Sequence, residues 1–276
     1  MNFTIKNYRC FEDTNPLKFD LEDGFMAFVG PNNAGKSSIL KFFFEFRHLW
    51  NVLTHPNSDI VTALKGGYIP VDPLGTSDPN EILCNYNDRD IQIEIRFPNI
   101  QASSYISKMV ISIRRKDLHW VIQMWDKDGA TINGLAKTAD GSWKGNYMVR
   151  TNDGSGLPGI DFSNVFDECS KLARSMYIGS FRNIINVGGN VSYFDISVGS
   201  DFVKTWRDWK TGPNKFRNRK TQEIQTDIQE IFKFKSLEIS DSADLNTLQV
   251  YINKNSYKLN EIGAGIAEFI ITLGNV

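Results

Sequence analysis

The sequence has 276 residues, of which 41% are hydrophobic, so the chain can bury a core, and wholesale disorder is excluded. Its 31 basic and 32 acidic residues leave a net charge of −1, which excludes a polycation that coats nucleic acid along its whole length. Any nucleic-acid binding must therefore be local.

The three cysteines, Cys10, Cys84 and Cys169, are widely spaced and form no C-x-x-C pair. This pattern argues against a disulfide framework and against a cysteine-based zinc site. The amino terminus has no apolar signal-like region, and no segment approaches the roughly 18 apolar residues that a membrane span needs. We therefore expect a cytoplasmic protein without a membrane partner.

The first third of the chain predicts strands at residues 3–5 and 25–29, with a third at 17–21. Residues 37–50 predict a largely buried helix, because apolar residues recur there at spacings of three and four. Residues 56–81 are rich in proline, glycine, serine and aspartate, which predicts a long surface loop.

The middle of the chain predicts an antiparallel meander, because three segments rich in β-branched and aromatic residues are bounded by turn signals. These segments are residues 91–97, 109–114 and 119–125. A helix at 163–174 and a short strand at 176–181 follow.

Residues 188–235 differ in composition from their neighbours and carry two amphipathic helical patterns, which predict an inserted helical arm. Strands are then predicted at 237–239, 248–252 and 257–259, and a helix near Gly265. The whole chain, residues 1–276, is interpreted as one lobe with the arm inserted in it.

The chemistry is concentrated in residues 30–37, GPNNAGKS, which match the phosphate-loop pattern G-x-x-x-x-G-K-[ST] between a predicted strand and a predicted helix. The glycines allow a tight turn that points backbone N–H groups at phosphate oxygens. Lys36 supplies a positive charge, and the Ser37 hydroxyl can coordinate Mg²⁺. Mg-ATP is therefore the expected ligand, held by Asn32, Asn33, Ala34, Gly35, Lys36, Ser37 and Ser38.

The opening IKNYRCFED and the following FMAFVGPNNAGKSSILKFF resemble the first lobe of ABC-type ATPase heads of the SMC, RecF and OLD group, including antiphage-defence ATPases. The resemblance implies an α/β fold with a P-loop β-α unit, an antiparallel β meander and an inserted helical arm. It also places Arg9 where an arginine often reaches the bound nucleotide. A plain surface arginine at the end of a strand is the alternative.

The segment LNEIGAGIAEFIITL resembles the signature segment of these heads. In that family Gly263 and Gly265 would face the γ-phosphate of the nucleotide held by another subunit, so that two heads enclose ATP. A plain helix cap is the alternative for such a glycine pair. The segment YIGSFR resembles a family strand ending in arginine, which makes Arg182 a candidate for the nucleotide or dimer surface, or else a simple ion-pair residue.

One part of the family pattern is missing: no run of four apolar residues followed by Asp-Glu occurs where a Walker B strand would stand. In relatives that strand follows the signature helix, so we expect this chain to be an amino-terminal piece of such a head. Gln92 is a candidate for the glutamine that contacts Mg²⁺, or else a solvent-facing residue at the start of a meander strand. Nothing in the sequence identifies a catalytic base.

A basic stripe lies within the arm, where seven cations and one aspartate, Asp208, occur across 17 residues, interleaved with Trp206, Trp209 and Phe216. Such a stripe can bind nucleic-acid phosphates, while its aromatic rings stack on bases. A solvated helical arm is the alternative. The cations are Lys204, Arg207, Lys210, Lys215, Arg217, Arg219 and Lys220.

Three hypotheses follow. The first is an ATP-binding lobe that dimerises around Mg-ATP and regulates action on DNA or on an associated nuclease or toxin, as the resemblance implies. The second is a non-hydrolysing scaffold whose nucleotide only stabilises assembly and whose arm binds a protein. The third is a module that chiefly binds DNA through the basic stripe.

Overall fold

The structure is a computed structural model that describes residues 1–98, 105–132, 134–136, 148–150, 156–157, 162–179 and 190–276. Its contacts divide the chain into two compact units, Met1–Ser175 (unit 1) and Met176–Val276 (unit 2). The prediction of one lobe with an inserted arm at 188–235 stays a prediction.

Unit 1 is built on a six-stranded antiparallel sheet in the order β2-β1-β3-β4-β5-β6. The predicted meander is confirmed as β3, β4 and β5, in which buried and more exposed residues alternate along the strands. The strands are β1 (Asn2–Lys6), β2 (Leu17–Asp20), β3 (Ile91–Arg96), β4 (Ile106–Ile113), β5 (Trp120–Asp126) and β6 (Thr131–Ile132).

The remaining elements of unit 1 are four α-helices, one 3₁₀ helix and a small antiparallel sheet of β7, β8 and β9 among the described residues. The helices are α1 (Lys36–Glu45), α2 (Arg47–Val52), α3 (Ser58–Leu64), the 3₁₀ helix (Pro79–Ile82) and α4 (Ser163–Ala173). The strands are β7 (Gly134–Ala136), β8 (Met148–Arg150) and β9 (Gly156–Leu157).

Aromatic packing fixes α1 on the sheet. The ring of Phe42 on α1 lies 6.3 Å from Phe3 of β1, 5.6 Å from Tyr8 and 5.7 Å from Trp50, measured between ring centroids. All four side chains are fully buried. Burying this apolar area is the main force that holds α1, and with it the phosphate loop, against the sheet.

The prediction of a strand at residues 25–29 is wrong. These residues have no secondary structure, and Phe25 and Val29 are 95% and 93% exposed. No backbone hydrogen bond joins them to another residue in the described part of the chain. An apolar run becomes a strand only where a neighbouring strand pairs with it, and no described strand does so here.

Two other predictions in unit 1 need correction. The predicted helix at 37–50 is divided at Phe46, where the Glu45 carbonyl accepts a hydrogen bond from the Leu74 amide at 3.1 Å. The predicted loop at 56–81 contains α3, which Asn57 caps by accepting from the amides two and three residues on. Its buried Ile60 and Ala63 lie at helical spacing, a signal that the surrounding turn residues obscure.

Unit 2 combines a hairpin, three helices and a three-stranded antiparallel sheet. The two predicted amphipathic helices are confirmed as α5 and α6, and their apolar faces share one core with β12 and β13. The elements are β10 (Asn190–Tyr193), β11 (Ile196–Val198), α5 (Gly199–Thr211), α6 (Lys215–Ile231), β12 (Leu237–Asp241), β13 (Leu248–Ile252), β14 (Asn255–Lys258) and α7 (Ala264–Leu273).

The strand predicted at 176–181 is not found at residues 176–179, and the rest of that segment lies outside the described residues. The Tyr177 amide donates to the Asp195 carboxylate at 2.7 Å rather than to a neighbouring strand. None of the described helices combines the length and apolar character that a bilayer crossing requires.

Candidate nucleotide-binding site

The phosphate loop turns into α1 through left-handed backbone at Asn33, with φ 64°, and at Gly35, with φ 87°. A Cβ atom on Gly35 would lie 2.5 Å from Cζ of Phe11 and 2.7 Å from Sγ of Cys10. Glycine is therefore required at this position by backbone conformation and by space. The turn after β1 closes over the loop at this point.

A cavity of about 650 Å³ opens beside the loop. No carboxylate is among its described lining residues, and Lys36 supplies its cation. Nζ of Lys36 donates to the carbonyl oxygens of Gly30 at 2.8 Å and Pro31 at 2.6 Å. Its charge is thus hydrogen-bonded but not neutralised. The lining residues are Cys10, Asn32, Asn33, Gly35, Lys36, Ser37 and Ser38.

The amino terminus of α1 adds to the positive character of this cavity. No side chain caps it, and its first turn contains no acidic residue. The first N–H groups of a helix have no partner within the helix, and the helix dipole places partial positive charge there. Lys36, Ser37 and Ser38 form this turn, so the site is suited to an anion such as a phosphate chain.

The same residues fit Mg-ATP. An uncompensated lysine and uncapped amides can bind phosphate oxygens, and the Ser37 hydroxyl is an oxygen ligand of the kind that Mg²⁺ accepts. The described residues contain no group of three or more His, Cys, Asp or Glu side chains that could hold a metal alone. Magnesium would therefore be bound jointly by Ser37 and the nucleotide. Ala34 belongs to the loop, and its amide donates to the Pro31 carbonyl at 3.4 Å.

Arg9 has a specific partner at the edge of this site. Its guanidinium pairs with the carboxylate of Glu45, through Nη2 to Oε1 and through Nε to Oε2 at 3.4 Å. Tyr8 donates its hydroxyl to Oε2 of Glu45 at 2.7 Å and lies 3.1 Å from the Ser38 carbonyl. The network connects the turn after β1 to both ends of α1.

Burial sets the protonation states in this network. Burial raises the pKa of the Tyr8 hydroxyl well above its ordinary value, and the nearby Glu45 carboxylate raises it further. Burial alone would lower the pKa of Arg9, but the hydrogen bond to Glu45 raises it overall. Tyr8 therefore remains a neutral donor and Arg9 remains a cation.

Gly263 and Gly265 stand at the start of α7 in unit 2. Gly263 is its N-cap residue, with no side-chain cap, and both glycines are exposed. A Cβ at either position would meet no atom within 4 Å, and neither residue has a positive φ. The local fold therefore does not require glycine at these two positions.

The basic stripe is divided by the fold. Lys204 lies 3.6 Å from Asp201, Arg207 lies 3.8 Å from Asp241, and Lys210 donates to the Ile239 carbonyl at 2.7 Å. Trp206 is buried in the core of unit 2 and cannot stack on a base. The cations at the start of α6, namely Lys215, Arg217, Arg219 and Lys220, are exposed.

Two weaker candidates lie elsewhere. Gln92 is in β3 and lines a separate cavity of about 440 Å³ rather than the phosphate-loop cavity. Arg182 lies outside the described residues.

Sequence reasoning missed two residues of the site, Cys10 and Glu45. Glu45 could have been found, because a carboxylate within the apolar run FFFEF has to be paired if the helix is buried. Cys10 carries no such signal, since only the approach of the turn to Gly35 brings it into the cavity.

Comparison with known proteins adds three findings. The profile of the AAA ATPase domain family matches residues 1–262. None of the curated proteins that were compared matches the chain.

One solved structure, from work described as "Structural biochemistry of ATP-driven dimerization and DNA stimulated activation of SMC ATPases", aligns with 62% of this chain and 77% of its own. The identity is 14% and the TM-score is 0.22. Similarity at that TM-score is too low to carry an argument about fold or function.

Proposed function

Because the chain belongs to the AAA ATPase domain family, which its match over residues 1–262 shows, we propose that residues 32–38 hold the triphosphate of Mg-ATP. Lys36 would exchange its two carbonyl partners for phosphate oxygens. Phosphate oxygens carry a negative charge that carbonyl oxygens lack, so this exchange adds an attraction between opposite charges. Bound Mg²⁺ would neutralise charge on the phosphates, with Ser37 as its ligand from this chain.

The observation that supports this proposal most directly is the combination of an uncapped α1 with an unneutralised Lys36 on one open cavity. Both features attract an anion, and both lie within a contiguous phosphate-loop motif.

Arg9 is proposed as a nucleotide contact only after release from Glu45, because its guanidinium already has a buried carboxylate partner.

A calorimetric titration with Mg-ATP tests the binding proposal. We expect Lys36→Ala to weaken binding by about tenfold to a hundredfold, which corresponds to the loss of a charged hydrogen bond. Lys18→Ala is the matched control, because it removes the same charge from exposed β2 of the same unit. Equal affinity of the two variants would contradict the proposal.

We further propose that two chains enclose ATP, with Gly263 and Gly265 of one chain facing the nucleotide of the other. The support is their place in the signature-like segment and the absence of a local reason for glycine at either position. Gly265→Ala lies within α7 and should stabilise the fold by about 0.5–1 kcal/mol, yet it should abolish ATP-dependent dimerisation in sedimentation experiments. An unchanged dimer would contradict the proposal.

The proposed role of this dimer is the one that the resemblance implies: regulation of action on DNA or on an associated nuclease or toxin, in the manner of OLD-like antiphage-defence ATPases. Residues implicated in the DNA contact by the sequence are the seven cations from Lys204 to Lys220.

A second candidate function is a nucleotide-dependent scaffold that does not turn ATP over. It is favoured by the contacts of the site, since phosphate binding by Lys36 and by the uncapped amides of α1 would stabilise an assembled state whether or not ATP is hydrolysed. Steady phosphate release that is lost in Lys36→Ala would support the ATPase. ATP-dependent dimerisation without phosphate release would support the scaffold.

A further inference from the structure

The connection between α5 and α6 forms a rigid, basic corner, residues 209–220, which we call the helix elbow. Nδ2 of Asn218 lies within hydrogen-bond distance of three carbonyl oxygens at the end of α5, those of Trp209 at 2.8 Å, Lys210 at 3.0 Å and Gly212 at 3.1 Å. The Asn214 side chain caps α6 by accepting from the amides two and three residues on. These hydrogen bonds link the end of α5 to the first turns of α6 without any ligand.

Three cations of the helix elbow have no acidic partner among the described residues. Lys215, Arg217 and Arg219 are exposed, and no carboxylate of the described residues lies within 4.0 Å of their charged groups. By contrast, Lys220 pairs with Glu223 at 2.7 Å, and three cations of α5 contact acidic or carbonyl groups of unit 2. Uncompensated charge is thus concentrated in the first turns of α6.

Aromatic side chains lie among these cations. Phe216 is 67% exposed, although burial of its ring would be favourable. Trp209 is half-buried, with the guanidinium of Arg217 over its ring at 5.9 Å from the centroid. The patch is too small and too charged for an apolar membrane or helix-docking face, since Phe216 is the one exposed aromatic ring among residues 209–220, all of which the structure describes.

We propose that the helix elbow is a binding surface for single-stranded nucleic acid. Lys215 and Arg219 lie one turn apart on one side of Phe216, and Arg217 lies on the other side of that ring around α6. A strand that crosses Phe216 would place phosphates near all three cations, while Phe216 stacks on an unpaired base. This combination of a phosphate-binding cation group with a base-stacking ring is how proteins bind single strands without reading their sequence. The proposal narrows the seven cations of the stripe to three, and it does not depend on the nucleotide site.

The test is fluorescence anisotropy of the full chain with a labelled oligothymidylate of about 20 nucleotides, without ATP, over a range of salt concentrations. Three phosphate contacts predict a slope of log K against log salt of about −2 for single strands. The triple variant Lys215→Gln, Arg217→Gln, Arg219→Gln should flatten that slope by about 2. The matched control, Lys233→Gln, Lys235→Gln, Lys254→Gln, removes the same charge from exposed positions of unit 2 and should leave the slope unchanged.

The stacking contact is tested separately. Phe216→Leu should weaken binding by about tenfold without a change of slope, and Phe216→Trp should restore it. Since Phe216 is exposed, both variants should fold. The Lys36→Ala variant should bind the oligonucleotide as tightly as the parent protein does. A failure of the nucleic-acid proposal is therefore distinguishable from a failure of the ATP proposal.

Several outcomes would overturn the inference. The first is an equal loss of salt slope in the elbow and control triple variants. The second is equal affinity for single strand and for a duplex of the same length, with no effect of Phe216→Leu. The third is binding to phosphatidylserine vesicles in place of the oligonucleotide. An adventitious charge effect would give the first of these results.

Discussion

Gly35 of the phosphate-loop motif is constrained both by its backbone conformation and by its neighbours. It combines φ of 87° with contact distances that exclude any side chain, because Cys10 and Phe11 occupy the space of a Cβ. Gly66 has a similar φ of 73°, but no atom lies within 4 Å of the place that its Cβ would take. A comparison of Gly35 with Gly66 therefore separates the effect of a positive φ from the effect of crowding by neighbouring side chains.

We predict that Gly35→Ala lowers the free energy of unfolding by about 1–3 kcal/mol more than Gly66→Ala does, because only the first variant crowds its neighbours. Its affinity for Mg-ATP should also fall by about tenfold or more, since relief of the clash displaces the loop. Urea unfolding and calorimetric titration measure the two effects. Equal destabilisation by the two variants would show that the turn after β1 does not close over Gly35.

The buried Glu45 is the second residue whose role is clear from its contacts. We predict that Glu45→Ala destabilises unit 1 by about 3 kcal/mol, because Arg9 and Tyr8 lose their shared acceptor. Glu94→Ala removes a more exposed partner of Arg96 and should cost less than about 1 kcal/mol. Chemical unfolding of both variants provides the comparison, and similar costs would mean that the Arg9 pair is no stronger than a surface pair.

Among the elements, the helix elbow shows how one polar side chain fixes the angle between two helices. The last carbonyl groups of a helix lack partners within it, and the Asn218 amide reaches three carbonyls at the end of α5. Gly212 is needed at the corner because a Cβ there would lie 2.2 Å from the Asp208 carbonyl oxygen.

We predict that Asn218→Ala lowers the free energy of unfolding of unit 2 by about 1–2 kcal/mol, because it leaves these carbonyls without their donor. Gln222→Ala, at an exposed position one turn along α6, should be neutral or slightly stabilising, since alanine favours helix. Urea titration followed by circular dichroism compares them. A neutral Asn218→Ala would indicate that water replaces the amide and that the elbow is not held by it.

For the molecule as a whole, the division into two units predicts a selective response to nucleotide. The phosphate loop lies in unit 1, whereas α5, α6 and α7 lie in unit 2. Ligand binding stabilises only the part of a protein whose folding creates the site.

In the Gly265→Ala variant, which should stay monomeric, we therefore predict two calorimetric unfolding transitions, of which Mg-ATP raises only that of unit 1. At about one hundred times its Kd the nucleotide adds about 2.7 kcal/mol, which for a unit of this size corresponds to roughly 5–10 °C. Removal of Mg-ATP, or Lys36→Ala, should abolish the shift. A shift confined to the unit 2 transition would contradict the placement of the site.

Residues close together in the sequence were sufficient to specify the three meander strands and the amphipathic helices α5 and α6, while the phosphate-loop motif of residues 30–37 stays a prediction. Each of these is encoded through a contiguous motif or through apolar residues at a period of two or of three to four. Local patterns of this kind do not depend on what the chain packs against.

The remaining features required the folded chain, because they depend on residues that are distant in the sequence. The apolar run at 25–29 is not a strand, since pairing requires a neighbour that the run cannot specify. Arg9 is paired with Glu45, 36 residues away, and Cys10 lines the cavity only through its approach to Gly35. In the basic stripe, Arg207 and Lys210 approach Asp241 and the Ile239 carbonyl only in the folded chain. Lys204 and Lys220, by contrast, pair with carboxylates three residues away on their own helices, so the fold decides charge compensation only where the partner is distant in the sequence.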